Sequence, residues 1–184
     1  MGVIIAIVVV VLIVLFVITA YNGLIRLKNK VDAAWAQVDV QLKRRYDLIP
    51  NLVETVKGYA AHEKDTFEAV VAARNSAMSA GGSGPAAQAD AENALSGTLK
   101  SLFALSEAYP DLKANTNFLN LQEELTATED KIAYSRQFYN GAVQELNTKI
   151  QVFPSSLLAG MAKATAREYF KTDEAERGPV KVQF

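Results

Sequence analysis

Four carboxylates, Glu123, Glu124, Glu129 and Asp130, fall within eight residues of a helical pattern. Inward carboxylates in a helical bundle are the raw material of a di-metal centre. That centre takes a Glu from each of two helices and a Glu-x-x-His pair from each of two more. This chain has one histidine, His62, with Tyr59 three residues before it, so a single-chain centre of that kind is excluded. His62-Glu63 is followed by Thr66 where a zinc protease motif needs histidine. With no cysteine, thiolate nucleophiles, disulfides and Cys-based metal sites are excluded as well. Gly81-Gly82-Ser83-Gly84-Pro85 lacks both the preceding strand and the GK[ST] ending of a phosphate loop. No catalytic residue, cofactor or metal is therefore expected.

The remaining polar groups read as structural or contact residues. Lys43-Arg44-Arg45 followed by Asp47 is the densest charge, and it reads as solvated helix surface or as a contact with another subunit or partner. Glu129 can pair with Arg136 on its own helix or across helices. With Asn120, Gln122, Arg136 and Asn140 it forms a candidate interhelical polar network, of the kind that fixes alignment in a bundle. Lys163, Arg167 and Lys171, at i, i+4 and i+8 of a short C-terminal helix starting at Pro154, are candidates for an anionic membrane surface. Trp35, Phe67, Phe103, Phe118, Phe138 and Tyr139 are expected in the core.

The elements that must hold these groups are all helical. Val3–Ala20 is an uninterrupted apolar run with no charge before Arg26. Eighteen such residues span about 27 Å, close to a hydrocarbon core of ~30 Å. A lone strand there would leave its backbone polar groups unpaired in lipid, so the run is read as one transmembrane helix. A cleaved signal peptide fits poorly: the start carries no Lys or Arg, the run is long and no A-x-A site follows. The anchor is set at residues 1–22. A helical bundle follows over residues 23–172, with a tip loop at 80–86 and a turn at 109–117, and residues 173–184 form a flexible tail. Pro50 is read as a kink inside one helix running to about Met78, with a tight turn at Asp47 as the alternative. The longest pattern runs from Phe118 to Phe153. The fold class is all-α: a transmembrane helix, then an antiparallel four-helix-bundle-like domain with long helices.

Three stretches carry a family resemblance. They are YNGLIRLKNKVDAAWAQVDVQLKRRYDLIPNLVETVKGYAAHE (Tyr21–Glu63), YPDLKAN (Tyr109–Asn115) and NLQEELTATEDKIAYSRQFYNGAVQELNTKIQVFP (Asn120–Pro154). Together they resemble the LemA family over nearly the whole chain. The resemblance implies a single-pass membrane protein with an antiparallel four-helix-bundle body, and it offers no catalytic motif to carry over.

The functional expectation is a membrane-anchored, non-enzymatic scaffold or interaction protein that associates with itself. Its partners would be the bilayer, further copies and a second membrane protein. Net charge of −1 gives no reason to expect nucleic acid. Two alternatives stand beside it: a carboxylate enzyme whose metal is assembled between subunits, and a membrane-shaping protein acting through the C-terminal helix. Arg26, Lys28 and Lys30 follow the span, and no Lys or Arg precedes it. The positive-inside rule then places the N-terminus outside and the bulk in the cytoplasm, in the cell membrane. In a chain without cysteine, Gly2→Cys should react with an impermeant thiol reagent in intact cells while Ser83→Cys does not. Reaction at position 83 contradicts this orientation.

Overall fold

The computed structural model describes residues 1–171, and the expected tail at 173–184 lies outside them. The described chain is all-α, with no strand among the described residues. Six helices follow one another: α1 (Gly2–Lys57), α2 (Lys64–Ala80), α3 (Pro85–Leu105), α4 (Pro110–Lys113), α5 (Thr116–Gln151) and α6 (Ser156–Ala159), with a single 3-10 turn at Ser106–Ala108.

The first part of α1 is long and apolar enough to cross a membrane. Its most apolar 18-residue stretch has a mean hydropathy of 3.6, and none of it is buried against protein. Pro50 lies inside α1, so the chain does not reverse there. Continuity leaves a debt, because proline has no N–H to offer the carbonyl one turn back, that of Tyr46. Arg74 Nε on α2 donates to this Tyr46 oxygen at 2.8 Å. The helix stops at Lys57 rather than continuing to Met78. Gly58 weakens it, the Val56 carbonyl receives both the Tyr59 and Ala60 amides, and Ala60 is buried. Side chains then hold the turn: Tyr109 donates to Glu63 at 3.0 Å and Asn115 to the Tyr59 hydroxyl at 2.8 Å.

The α2–α3 reversal needs two left-handed residues, and Gly82 (φ 99°) and Gly84 (φ 100°) supply them before Pro85 opens α3. Asn115 caps α5 by accepting the Phe118 amide at 2.9 Å.

The contacts divide the chain into two compact units. One comprises Met1–Val38 and Ser135–Arg167. Within it Leu24, Val31, Ala34 and Val38 of α1 and Tyr139, Ala142, Val143 and Leu146 of α5 are buried. Trp35 meets Tyr139 edge-on, with ring centroids 5.1 Å apart. Lys30 pairs with Glu145 at 2.8 Å. Phe138, expected in the core, is instead exposed beneath the Lys30 ammonium, 5.9 Å from its ring centroid.

The C-terminal helix is much shorter than expected. Lys163 adopts φ 47°, and the amides of Lys163 and Ala164 bond back to the carbonyls of Gly160 and Ala159. This is a Schellman closure with a lysine in the left-handed position that glycine usually takes. Lys163, Arg167 and Lys171 therefore do not share a helical face, because no helix runs through them. Arg167 is instead fixed within this unit. Its backbone exchanges two 2.9 Å bonds with the Asn147 amide, and its guanidinium pairs with Asp32 at 3.0 Å.

The other unit comprises, among the described residues, Asp39–Tyr134 and 168–171. Parts of α1 and α5 and all of α2, α3 and α4 pack here around Ile49, Leu52, Val56, Phe67, Val70, Leu95, Leu99, Leu102, Leu112, Phe118 and Leu125. On α2, Val71 and Met78 face out, and Ala77 is buried.

The Pro50–Arg74 relation is testable as a coupling. Arg74→Met should destabilise the protein by about 1 kcal/mol when Pro50 is present. In a Pro50→Ala background, where residue 50 regains its amide, the same change should cost much less in thermal unfolding. Equal losses in both backgrounds would refute the relation.

Candidate functional site

The densest polar chemistry lies inside the second unit and centres on Arg45. Arg45 continues the buried stripe of α1 made by Val38, Leu42, Ile49, Leu52 and Val56 at steps of three and four, and its side chain is fully buried. On α3, Gln88 and Glu92 sit on the stripe of Leu95, Leu99 and Leu102, and both are buried. The chain thus places a cation and a carboxylate at positions where an apolar residue is the rule.

Arg45 Nη2 pairs with Glu92 Oε2. Arg45 Nη1 donates to Glu129 Oε1 of α5 at 2.6 Å and to Ser96 Oγ of α3 at 2.8 Å. The other Glu92 oxygen, Oε1, accepts from the Tyr46 hydroxyl and from Gln88 Nε2, the latter at 2.6 Å. Gln88 Nε2 also donates to the Ala77 carbonyl of α2 at 3.2 Å. With Arg74 on the Tyr46 carbonyl, adjacent residues of α1 are tied to α2, α3 and α5.

Desolvation of two ions costs several kcal/mol each and is recovered only by close, fully bonded geometry. Here Glu92 receives three donors, and Arg45 uses two of its nitrogens on four acceptors. Burial alone would ease the proton off Arg45, but the charges of Glu129 and Glu92 and their hydrogen bonds reverse this and hold the guanidinium above its ordinary range. Burial, then the hydrogen bond to Glu92 and its charge, push the Tyr46 phenol well above its ordinary 10.0. Tyr46 is therefore a fixed donor at neutral pH. Of the three ions, Arg45 and Glu92 have no exposed side-chain surface, and Glu129 reaches solvent.

The expected contact group is split by this arrangement. Arg45 is buried and cannot serve as a surface contact, which corrects its place beside Lys43, Arg44 and Asp47. Those three stay exposed: Lys43 pairs with Asp47 at 3.3 Å, and Arg44 lies 4.0 Å from Glu124. Of the expected interhelical network, Glu129 bonds across helices to Arg45. Arg136 and Asn140 are half-buried and engaged. Gln122 borders a shallow surface depression with Glu123 and Asp130. Asn120 is exposed and does not belong to the network. Glu92, Gln88 and Tyr46 were not anticipated. The available signal was their position on, or beside, the 3-4 stripe. Among the described residues no three His, Cys, Asp or Glu side chains converge into a metal-ligand set.

A family model described as the LemA family matches residues 34–184, a stretch that leaves out the apolar start of α1. Magnetosome protein MamQ 2 of Paramagnetospirillum magneticum is 25% identical over 184 residues, covering 87% of this chain and 68% of that protein. Magnetosome protein MamQ of Magnetospirillum gryphiswaldense is 24% identical with the same coverage. Protein LemA of Metamycoplasma hominis is 26% identical over 158 residues, covering 85% of this chain and 71% of that protein.

Glu92→Leu, which leaves Arg45 with Glu129 alone and takes the acceptor from Tyr46 and Gln88, should lower stability by about 3–5 kcal/mol. The triple change Arg45→Met, Glu92→Leu, Glu129→Met should cost clearly less in the same thermal unfolding assay. A triple variant as unstable as the single one would show that the ions themselves supply the stability. The Tyr46 phenol adds a pH signature. Its folded-state pKa is raised, so its contribution is complete below pH 10 and lost as pH rises above that value. The stability difference between wild type and Tyr46→Phe should therefore be constant through neutral pH and shrink on the alkaline side. A gap that widens there would contradict the assignment.

Proposed function

The chain belongs to the LemA family, and from that premise we propose a non-enzymatic scaffold or interaction protein, anchored in a membrane by the start of α1 and associating with copies of itself. One observation carries this reading: the strongest ionic groups are spent on one another inside the bundle, while large apolar side chains stand outside it. An enzyme built on these carboxylates needs them open to substrate, and Glu92 is sealed.

The outer face of α1 in the second unit supports self-association. Lys43 and Arg44 lie three and four residues after Val40, and Asp47 lies four and three residues after them. Val40 is 63% exposed. Tyr134 of α5, 69% exposed, lies as far from Glu129 as Val40 lies from Arg45, so the Arg45–Glu129 pair sets both at one level. An apolar pair beside both signs of charge is suited to side-by-side packing of like helices. The cations after the apolar run favour a cytoplasmic position for the bulk of the chain. A second membrane protein on the same face is the competing partner.

Native mass measured on the full-length protein after gentle extraction tests this reading. A large, uniform homo-oligomer is expected, and the double change Val40→Asp, Tyr134→Asp should reduce it several-fold in mass without lowering the unfolding temperature. A monomeric wild type would overturn self-association.

A further inference from the structure

An apolar cluster that the scaffold reading does not use stands at the end of α5. Phe153 is 79% exposed, Leu157 74% and Met161 59%, with Val152 also exposed. Contiguous large apolar side chains in water call for an explanation that scattered ones do not. The turn that carries them is firmly built. Ser155 is buried and its hydroxyl donates to the carbonyls of Lys149 at 2.7 Å and Val152 at 3.0 Å, closing the end of α5. Leu158 and Ala162 point inward, and the Schellman closure at Lys163 ends the segment. The outward set of Phe153, Leu157 and Met161 is therefore held in place.

The register of this unit says what lies beside the cluster. α1 and α5 run antiparallel, fixed by Trp35 against Tyr139 and Lys30 against Glu145. Phe153 lies as far after Tyr139 as Tyr21 lies before Trp35. At one rise per residue on both helices, the turn is level with Tyr21, at the end of the apolar run. Leu24 is the first fully buried residue of α1, and none of residues 1–19 is buried or, Val17 apart, even half-buried. The protein body thus begins at the level where the exposed turn sits.

Charge agrees. Neither residues 1–31 nor residues 146–167 contain a single Asp or Glu. Arg26, Lys28, Lys149 and Lys163 make no ion pair among the described residues. By the same count Arg26 and Lys149 fall at nearly one level, about one to two helical turns from Tyr21 and Phe153. Apolar side chains with cations a few ångströms behind them match the layering of acyl chains and anionic headgroups.

We propose that the α5–α6 turn, with Phe153, Leu157 and Met161, inserts into the interface of the same bilayer that α1 crosses. The inference rests on the reading of α1 as an anchor. It gives the protein a second, shallow attachment beside the first. The two attachments together would fix the tilt and rotation of this unit at the membrane.

Nitroxide labels on single cysteines in the full-length protein test it, reconstituted in vesicles of phosphatidylglycerol and phosphatidylethanolamine. Phe153→Cys and Leu157→Cys are the test positions, Val10→Cys reports the anchor and Ser83→Cys reports water. The ratio of oxygen to nickel-chelate collisions at 153 and 157 should be several-fold above that at 83 and fall between the values at 83 and 10. A ratio equal to that at 83, with position 10 in lipid, overturns the insertion and leaves the anchor standing. Weak collisions with both reagents mean burial under protein and also overturn it. An aqueous ratio at position 10 removes the anchor and the insertion with it.

Discussion

A guanidinium with no surface in water obliges its surroundings to be anionic, close and fixed. Arg45 places that obligation on Glu92 of α3 and Glu129 of α5, and its neighbour Tyr46 extends it through Gln88 and Arg74 to α2. Packing of Leu, Val and Ile alone would tolerate a slip of one helix along another. This network does not, since a shift of one residue would leave an ion buried without its partner. Pro50 belongs to the same device: by withholding an amide it frees the Tyr46 carbonyl, which then becomes the docking point for Arg74. In this unit α1, α2, α3 and α5 are aligned by polar contacts around two consecutive residues of α1.

Much of the scaffold could be read from local pattern. The apolar run, the all-helical class, the glycine tip before Pro85 and the turn at 109–117 each depend on residues close together in sequence. The longest pattern, read as Phe118–Phe153, is Thr116–Gln151 in the structure. The failures share a different cause. α1 ends at Lys57 because Tyr59, Glu63, Tyr109 and Asn115 hold a turn together from distant positions. The C-terminal helix stops because Lys163 takes a left-handed conformation that its residue type disfavours.

The buried charges were the least legible. Lys43-Arg44-Arg45 reads as one solvated run, yet its third member lies on the apolar stripe and the other two do not. Glu92 sits in an alanine-rich segment that looks like an exposed helix surface, and its partner is 47 positions away. Only the phase of the 3-4 stripe separates inside from outside at such residues. The apolar turn at Phe153 is the converse case: its composition suggests core, whereas its register with α1 sets it at the level of Tyr21.

The account depends on Glu92 being a sealed structural ion rather than a group that meets solvent or substrate. Carboxylate labelling of the folded full-length protein with a water-soluble carbodiimide and an amine reads this directly. Glu123 and Glu124, exposed on α5, should react completely, while Glu92 remains unmodified until the protein is unfolded. Modification of Glu92 in the folded protein, at a rate comparable with those two, would contradict the account.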